Sequence, residues 1–395
     1  MKKEIFERYL NVQTIDNKER LRLIETPAYI IDLNQIEKNF INIDDIRNAT
    51  GVKIFLALKG FSNDMIINQF INKLDGLSSS GLFESKLGKE LNVQVSTFFT
   101  AYTDNIINEI CKSSEYIIFN SINQYKKYLT EAQNNNCSIG IRINPEYTEL
   151  SDEFAANTCK KDSHLGIKKK NMPPIQDFCK GKIEGIHFHT MCEQQADTLE
   201  RTIEYIIKNY DKYLKRIKWI NLGGGQLLSA SNYDVSKAIY SLKKIKDKYK
   251  IEVILEPCEG IMLNSGYYIT KVIDILNNNM NLAIVDGSAV CHMIDAAYRG
   301  WSRDIIGEST KISKDSHMYK IVGSSCYAGD SFGTYYLNKE LKVGDNIIFK
   351  DTASYTMVKN NMFNGIAYPN LYVIDLNKNV KKIKEYDYNI FKMII

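Results

Sequence analysis

Four short stretches carry residues whose types and spacing could do chemistry. The first, Ile54-Phe-Leu-Ala-Leu-Lys59, is an apolar run closed by one lysine. Desolvating an ammonium is expensive, so a lysine placed there is neutralised, paired or used covalently. Lysines whose pKa is lowered by burial are the ones that form Schiff bases with carbonyl compounds. A single lysine at a strand end more often snorkels to solvent, so Lys59 gains meaning only if the chain supplies partners. The second stretch ends in His187-Phe-His189, and alternate residues of a strand face one side. The pair could ligate a metal, or one imidazole could face a pocket while its neighbour packs. A metal needs further ligands, and the remaining histidines, His164, His292 and His317, lie outside the apolar runs, which favours packing. The third, Gly223-Gly224-Gly225, reads as a tight turn or as backbone N–H groups brought up to an anion. The fourth ends in Glu256, which reads as a salt-bridge partner, a general base or an anion that keeps a heterocyclic nitrogen protonated.

These residues all close short apolar runs. Eight such runs recur, at 54–58, 77–80, 97–101, 116–120, 139–144, 183–189, 219–222 and 253–256, with amphipathic stretches between them. Strands alternating with helical patterns predict βα units and a parallel sheet, and eight units over about 200 residues predict an α/β fold closed as a (β/α)8 barrel. Barrel chemistry collects at the C-terminal strand ends. Here those ends carry Lys59, Ser80, Asn120, Arg142 with Asn144, His187 with His189, the three glycines and Glu256. In that setting the glycine turn follows strand seven, where such barrels often hold phosphate. The connection from Pro145 to Lys182 is long enough to predict a functional excursion. From about residue 260 the pattern changes to strands with tight turns, at 266–274, 282–286, 317–323 and 341–350, which predicts an all-β domain. The expected division is a barrel over 27–261 and a β-domain built from 1–26 and 262–395.

Composition excludes several classes. The 395 residues exceed one ordinary core and predict two domains; 44% hydrophobic and 25% charged content match a globular protein. A net charge of +4, with no basic stripe, excludes a nucleic-acid partner. No apolar run is long enough for a transmembrane helix, and the first residues lack a signal core, so a cytoplasmic protein without a membrane partner is expected. Eight cysteines at 111, 137, 159, 179, 192, 258, 291 and 326 show no CxxC spacing, which reads as free thiols in a reducing compartment.

A lysine, a glycine turn and a buried carboxylate together supply an aldehyde partner, a phosphate cradle and a ring-nitrogen anion, the needs of pyridoxal 5'-phosphate. From Thr26 to about Gly365 the chain resembles the alanine racemase-like, fold type III group of pyridoxal-phosphate decarboxylases. The resemblance rests on Ala57-Leu-Lys59, Gly185-Ile-His-Phe-His189, Asn221-Leu-Gly-Gly-Gly-Gln226, Leu255-Glu-Pro-Cys-Glu-Gly260, His292-Met-Ile-Asp295, Cys326-Tyr-Ala-Gly-Asp330 and Ala353-Ser-Tyr-Thr356. It implies that Lys59 carries the cofactor, His189 stacks on its ring, Gly224 and Gly225 bind its phosphate with help from Tyr355, Glu256 pairs with the ring nitrogen and Arg142 lies near the ring edge. It also implies that Cys326 acts at the substrate's α-carbon, and that two chains form a homodimer with Cys326 and Asp330 reaching the other subunit's barrel.

Within the group the chain is most similar to the decarboxylases of carboxynorspermidine and carboxyspermidine, which implies norspermidine or spermidine plus CO2 as products. Related basic amino-acid decarboxylases read Glu-Pro-Gly-Arg at strand eight, whereas this chain has Glu256-Pro-Cys-Glu259; they place Gly-Ser after the stacking histidine, whereas this chain has Thr190-Met191-Cys192-Glu193. Diaminopimelate carries a distal carboxylate and wants a cation; a carboxylated polyamine carries protonated amines and wants anions. Glu259, Asp295, Asp330 and Glu193 are the candidate substrate acids. The alternatives are a diaminopimelate or other basic amino-acid decarboxylase, a metal-dependent hydrolase using His187 and His189, and a catalytically dead regulatory homologue, against which retention of Lys59 and Cys326 speaks.

Overall fold

The computed structural model of the chain describes residues 24–175, 178, 181–309, 312–313 and 316–395. The segment before residue 24, expected in the β-domain, and Cys179 lie outside the described residues. The chain divides into two compact units, one of residues 37–263 and one of residues up to Ile36 and from Asn264 onward.

The first strand, β1 (Ala28–Asp32), belongs to the second unit. The barrel unit holds β2 (Lys53–Ala57), β3 (Gly76–Ser79), β4 (Gln94–Phe98), β5 (Tyr116–Phe119), β6 (Ser138–Asn144), β7 (Ile167–Lys168), β8 (Ile183–His187), β9 (Trp219–Asn221) and β10 (Glu252–Leu255). Eight of these, all but β7, pair in parallel as β5-β4-β3-β2-β10-β9-β8-β6, and a β5–β6 pairing closes the ring. Parallel strands covered on both faces read as unbroken apolar runs, and Ile54 to Leu58 are buried without exception. The helices between them bury one stripe: in Ala196–Leu214 that stripe is Leu199, Ile203, Ile206 and Tyr210, at spacings of three and four. The fourth strand starts at Gln94, three residues earlier than its apolar run implied. Ser96 and Thr97 are buried; Thr97 Oγ1 lies 2.7 Å from Ser114 Oγ, whereas the Ser96 hydroxyl has no hydrogen-bond partner. The excursion after β6 is pinned to a strand end: Asn120 Nδ2 donates to the His164 carbonyl at 2.8 Å, and its Oδ1 accepts from Gly166 N–H at 2.5 Å.

The second unit is the expected sheet domain, an eight-stranded sheet that among the described residues also carries the short helices Ala289–His292, Ile294–Arg299 and Tyr388–Ile394. Its strands are β1, β11 (Gly266–Asn277), β12 (Asn281–Val285), β13 (His317–Val322), β14 (Ser331–Leu337), β15 (Asn346–Lys350), β16 (Asn370–Ile374) and β17 (Val380–Lys384). β1 sits between β11, antiparallel, and β16, parallel. The barrel boundary expected at residue 27 therefore shifts to 37. An apolar run such as Ala28–Ile31 carries no mark of which sheet it joins. Of the expected strand 341–350, only Asn346–Lys350 pairs, and Lys342–Asp345 forms the turn before it. The core here is aromatic: Tyr268, Phe332 and Phe349 pack with centroids 4.9 to 5.9 Å apart.

Candidate active site

The barrel register sets the site. Arg142 on β6 pairs across to His187 on β8, and His187 pairs across to Asn221 on β9. Glu256 follows β10, and Lys59 follows β2 by one residue of turn, with Gly60 N–H bonded to the Ala57 carbonyl. Neighbouring strands thus present their chemistry at one level of the barrel mouth, as the strand-end argument required.

Lys59 keeps solvent-accessible surface although protein surrounds it closely. Its side chain stands in the open hollow of the barrel mouth. Desolvation, then the nearby Arg142 guanidinium, hold its ammonium below the usual 10.5; Glu256, Cys258 and Glu259 pull the other way. Arg142 is buried, with its guanidinium carbon 4.3 Å from the Phe98 ring centroid. His189 accepts a hydrogen bond from Gly224 N–H at Nδ1, 3.3 Å, which puts its own proton on Nε2. Burial, then Lys59 and Arg142, hold His189 well below the ordinary histidine range, so its ring is neutral. That bond also occupies the N–H that Gly224 would offer to phosphate. His187 is buried edge-on to Phe98 at 5.6 Å, and neither of its ring nitrogens has a hydrogen-bond partner. The two histidines therefore differ: His187 packs against Phe98, while His189 is held by the Gly224 N–H.

Glu256 is buried, and its Oε1 accepts from Asn221 Nδ2 at 2.6 Å. Its Oε2 has only the His187 Nε2 at 3.8 Å, too far for a hydrogen bond. Gly223 and Gly225 adopt φ of +69° and +93°. A Cβ on Gly224 would collide with the Glu256 carbonyl, and one on Gly225 with the Met191 carbonyl, so only glycine lets these loops meet. Glu259 starts the short helix Glu259–Met262 and lies in the electrostatic field of Lys59 and Cys192. Glu193 is exposed.

Two mouth residues escaped the sequence argument. Glu84 opens the helix after β3, accepts from Ser80 N–H at 2.6 Å, and has its carboxyl pushed up by burial while Lys59 opposes that rise. An acid in the first turn, four residues past a serine, was the available signal, and it reads as a cap. Cys192 has its thiol pushed up to about 12 by burial, then by Glu259 and Glu193.

The remaining expected residues lie in the sheet unit. Asp330 is not an open substrate acid. It is buried, its Oδ1 accepts from Ala289 N–H at 2.6 Å and Val290 N–H at 3.2 Å, and its Oδ2 from Ser325 N–H at 3.1 Å. It ties the Cys326 loop to a helix start. Asp295 is already matched: Lys359 Nζ bonds its Oδ2, and Arg299 Nε lies 3.6 Å from Oδ1. Cys326 is exposed and its N–H donates to Asn364 Oδ1 at 3.0 Å. Tyr355 holds φ of +54°, with Lys359 Nζ 5.8 Å from its ring centroid.

The family model described as pyridoxal-dependent decarboxylase, C-terminal sheet domain, matches residues 28–353. The chain belongs to the pyridoxal-dependent decarboxylase family. The chain is 35% identical to a carboxynorspermidine/carboxyspermidine decarboxylase of Campylobacter jejuni, over 94% of this chain and 98% of that one. It is 30% identical to the carboxyaminopropylagmatine decarboxylase of a Synechocystis strain, over 89% and 90%. The crystal structure of a Campylobacter jejuni carboxynorspermidine decarboxylase complexed with norspermidine superposes at a TM-score of 0.84, with 33% identity, over 94% and 100%. Diaminopimelate decarboxylases from five bacteria match at 19% to 25% identity. The chain is thus a pyridoxal-phosphate-dependent decarboxylase, and the hydrolase alternative falls away.

The barrel mouth fits that cofactor. It offers a lysine of lowered pKa, a glycine turn with no room for a Cβ, and a buried carboxylate with one oxygen tethered and the other open.

Proposed function

We propose that this decarboxylase removes CO2 from carboxylated polyamines, carboxynorspermidine and carboxyspermidine, to give norspermidine and spermidine. The observation that carries this reading is Glu259. It is an acid in the field of Lys59, at the position where, by the resemblance, basic amino-acid decarboxylases carry an arginine that contacts phosphate or a substrate carboxylate. Protonated amines of a polyamine find an anion there, whereas the far carboxylate of diaminopimelate would be repelled. The similarity to decarboxylases of this substrate class supports it.

When bound, pyridoxal phosphate supplies the electron sink for the pair left by the departing carboxylate. Lys59 supplies the amine that carries the cofactor, and its lowered pKa keeps that amine nucleophilic. Glu256 offers Oε2 to the ring nitrogen. Gly225 and the rest of the glycine turn would hold the phosphate, the Gly224 N–H being engaged by His189 Nδ1. His189, a neutral imidazole, would stack on the ring, and Arg142 would lie near its edge. Cys326, an accessible thiol, delivers the proton to the α-carbon. Glu259 receives the substrate's amines. Asp295 plays a lesser part because Lys359 already neutralises it.

Two copies are proposed to assemble as a homodimer, each lending Cys326 to the other's barrel. Tyr298, Trp301 and Tyr327 stand exposed on the unit that bears Cys326 and support this reading. Sedimentation at the 45.4 kDa of one chain would remove it. The seven described cysteines are unpaired thiols, which supports a reducing, cytoplasmic setting.

A CO2-release assay with added pyridoxal phosphate tests the function. The panel is carboxynorspermidine, carboxyspermidine, carboxyaminopropylagmatine, diaminopimelate, ornithine and arginine. Turnover of the first two at the highest kcat/KM is expected; preference for diaminopimelate would overturn the reading.

A further inference from the structure

Glu256 and the glycine turn, the proposed ring-nitrogen anion and phosphate cradle, share one buried side chain. Asn221 ends β9 and is fully buried. Its Nδ2 donates to Glu256 Oε1 at 2.6 Å, and its Oδ1 accepts from Gly223 N–H at 2.8 Å. A third bond completes the square: Glu256 N–H donates to the Gly223 carbonyl at 2.9 Å. The strand register makes this possible, since Asn221 lies opposite His187 on one side and Ile254, two residues before Glu256, on the other. Glu256 has no other hydrogen bond to its side chain among the described residues. His187, its other neighbour, lies 3.8 Å from Oε2.

We propose that Asn221 is a positioning residue. One carboxamide fixes the rotamer of Glu256, so that Oε2 stays aimed at the ring nitrogen, and fixes the start of the glycine turn, so that the phosphate cradle keeps its distance from that carboxylate. The amide is suited to this because its donor and acceptor are opposite ends of one rigid plane. A serine would keep the acceptor but lose the reach to Glu256. An aspartate would keep the acceptor and set a second anion against Glu256. A leucine would lose both bonds.

The test compares holoenzyme of Asn221→Ser, Asn221→Asp and Asn221→Leu with wild type. It reads the visible absorption of the bound cofactor against pH, the rate of cofactor release into excess apo-acceptor, and kcat and KM separately. Losing one hydrogen bond to a charged group corresponds to a fall of about tenfold to a hundredfold. The serine and aspartate variants are expected to lose about that much kcat with KM moved less than about threefold. Their cofactor absorption should titrate at a shifted pH, while cofactor release stays within about threefold of wild type. The leucine variant should also release cofactor at least about tenfold faster. A serine variant with wild-type kcat and an unchanged absorption titration overturns the proposal. So does a leucine variant that retains cofactor as wild type does. If the leucine variant fails to fold, the serine and aspartate variants carry the test, because both keep the bond to Gly223 N–H. Thermal unfolding of the apo-proteins identifies such a failure. The absorption and release readouts need no substrate, so they stand whichever polyamine the enzyme takes.

Discussion

Under the proposed reading, Lys59 serves the cofactor and Glu259 the substrate at the barrel mouth. The lysine is held below its ordinary pKa by desolvation and by Arg142, which fits an amine that must attack a carbonyl. Glu259 exerts its charge on that lysine and on Cys192. Glu259→Gln removes the anion and keeps the shape. Hydrogen bonds to charged groups contribute about 1.5–3 kcal/mol, so KM for a carboxylated polyamine should rise by about tenfold to a hundredfold. Cofactor affinity of the apo-protein should move little. An equal loss in both, read by steady-state kinetics and cofactor titration, would place Glu259 with the cofactor instead. Asp330 shows why residue type alone misleads. A buried acid with three backbone N–H partners is spent on joining its loop to the helix Ala289–His292, and no sequence pattern distinguishes it from an acid left open for a ligand.

At the scale of elements, the strand ends work because the other end of the barrel is plugged. Trp219 packs edge-on to Tyr116 with centroids 5.3 Å apart, and its Nε1–H donates to Ser138 Oγ at 2.7 Å. Its ring lies where a Cβ on Gly140 or Gly185 would be. The glycine of the Gly185-Ile-His-Phe-His189 motif is therefore a packing residue, with no part in the chemistry. Gly185→Ala should cost at least about 1–3 kcal/mol of unfolding free energy through overpacking, measured by urea denaturation. A variant as stable as wild type would mean the tryptophan moves aside freely. Beside it, Lys53 Nζ lies 2.7 Å from Glu252 Oε2 and 2.9 Å from Tyr116 OH, so the polar residues at the strand starts close the ring. Much of this architecture was legible in the sequence. All eight barrel strands announced themselves, because parallel strands buried on both faces are unbroken apolar runs. The sheet unit was half legible. Ser331–Leu337, Asn370–Ile374 and Val380–Lys384 went unseen; the first is interrupted by Gly333 and Thr334, the last carries three lysines, and the middle one gives no sign of pairing with β1, more than 300 residues earlier. The tethers Asn221–Glu256 and Ser80–Glu84 were out of reach because they depend on which side chains converge.

For the whole molecule, both units bury histidines that must stay neutral. His187 and His189 in the barrel are held well below the ordinary value of 6.5, chiefly by burial. His292 in the sheet unit is lowered to about 4, again by burial, and bonds Tyr268 OH at 2.9 Å and the Ala367 carbonyl at 3.0 Å. A lowered histidine means the unfolded chain binds more protons below pH 6.5. Stability is therefore full above that pH and drains as pH falls towards the folded value. For His292 alone the loss between pH 7 and pH 5 should be about 2 kcal/mol. His292→Gln should be less stable at pH 7, yet lose correspondingly less on going to pH 5; an unchanged pH slope would show that His292 is not held neutral. The account as a whole turns on Lys59 carrying the cofactor at the mouth of this barrel. Borohydride reduction of the holoenzyme, followed by proteolysis and mass spectrometry, tests that directly. The reduced cofactor should be found on the peptide containing Lys59, and Lys59→Ala should take up none; cofactor fixed on another lysine, or CO2 release by Lys59→Ala at the wild-type rate, would contradict it.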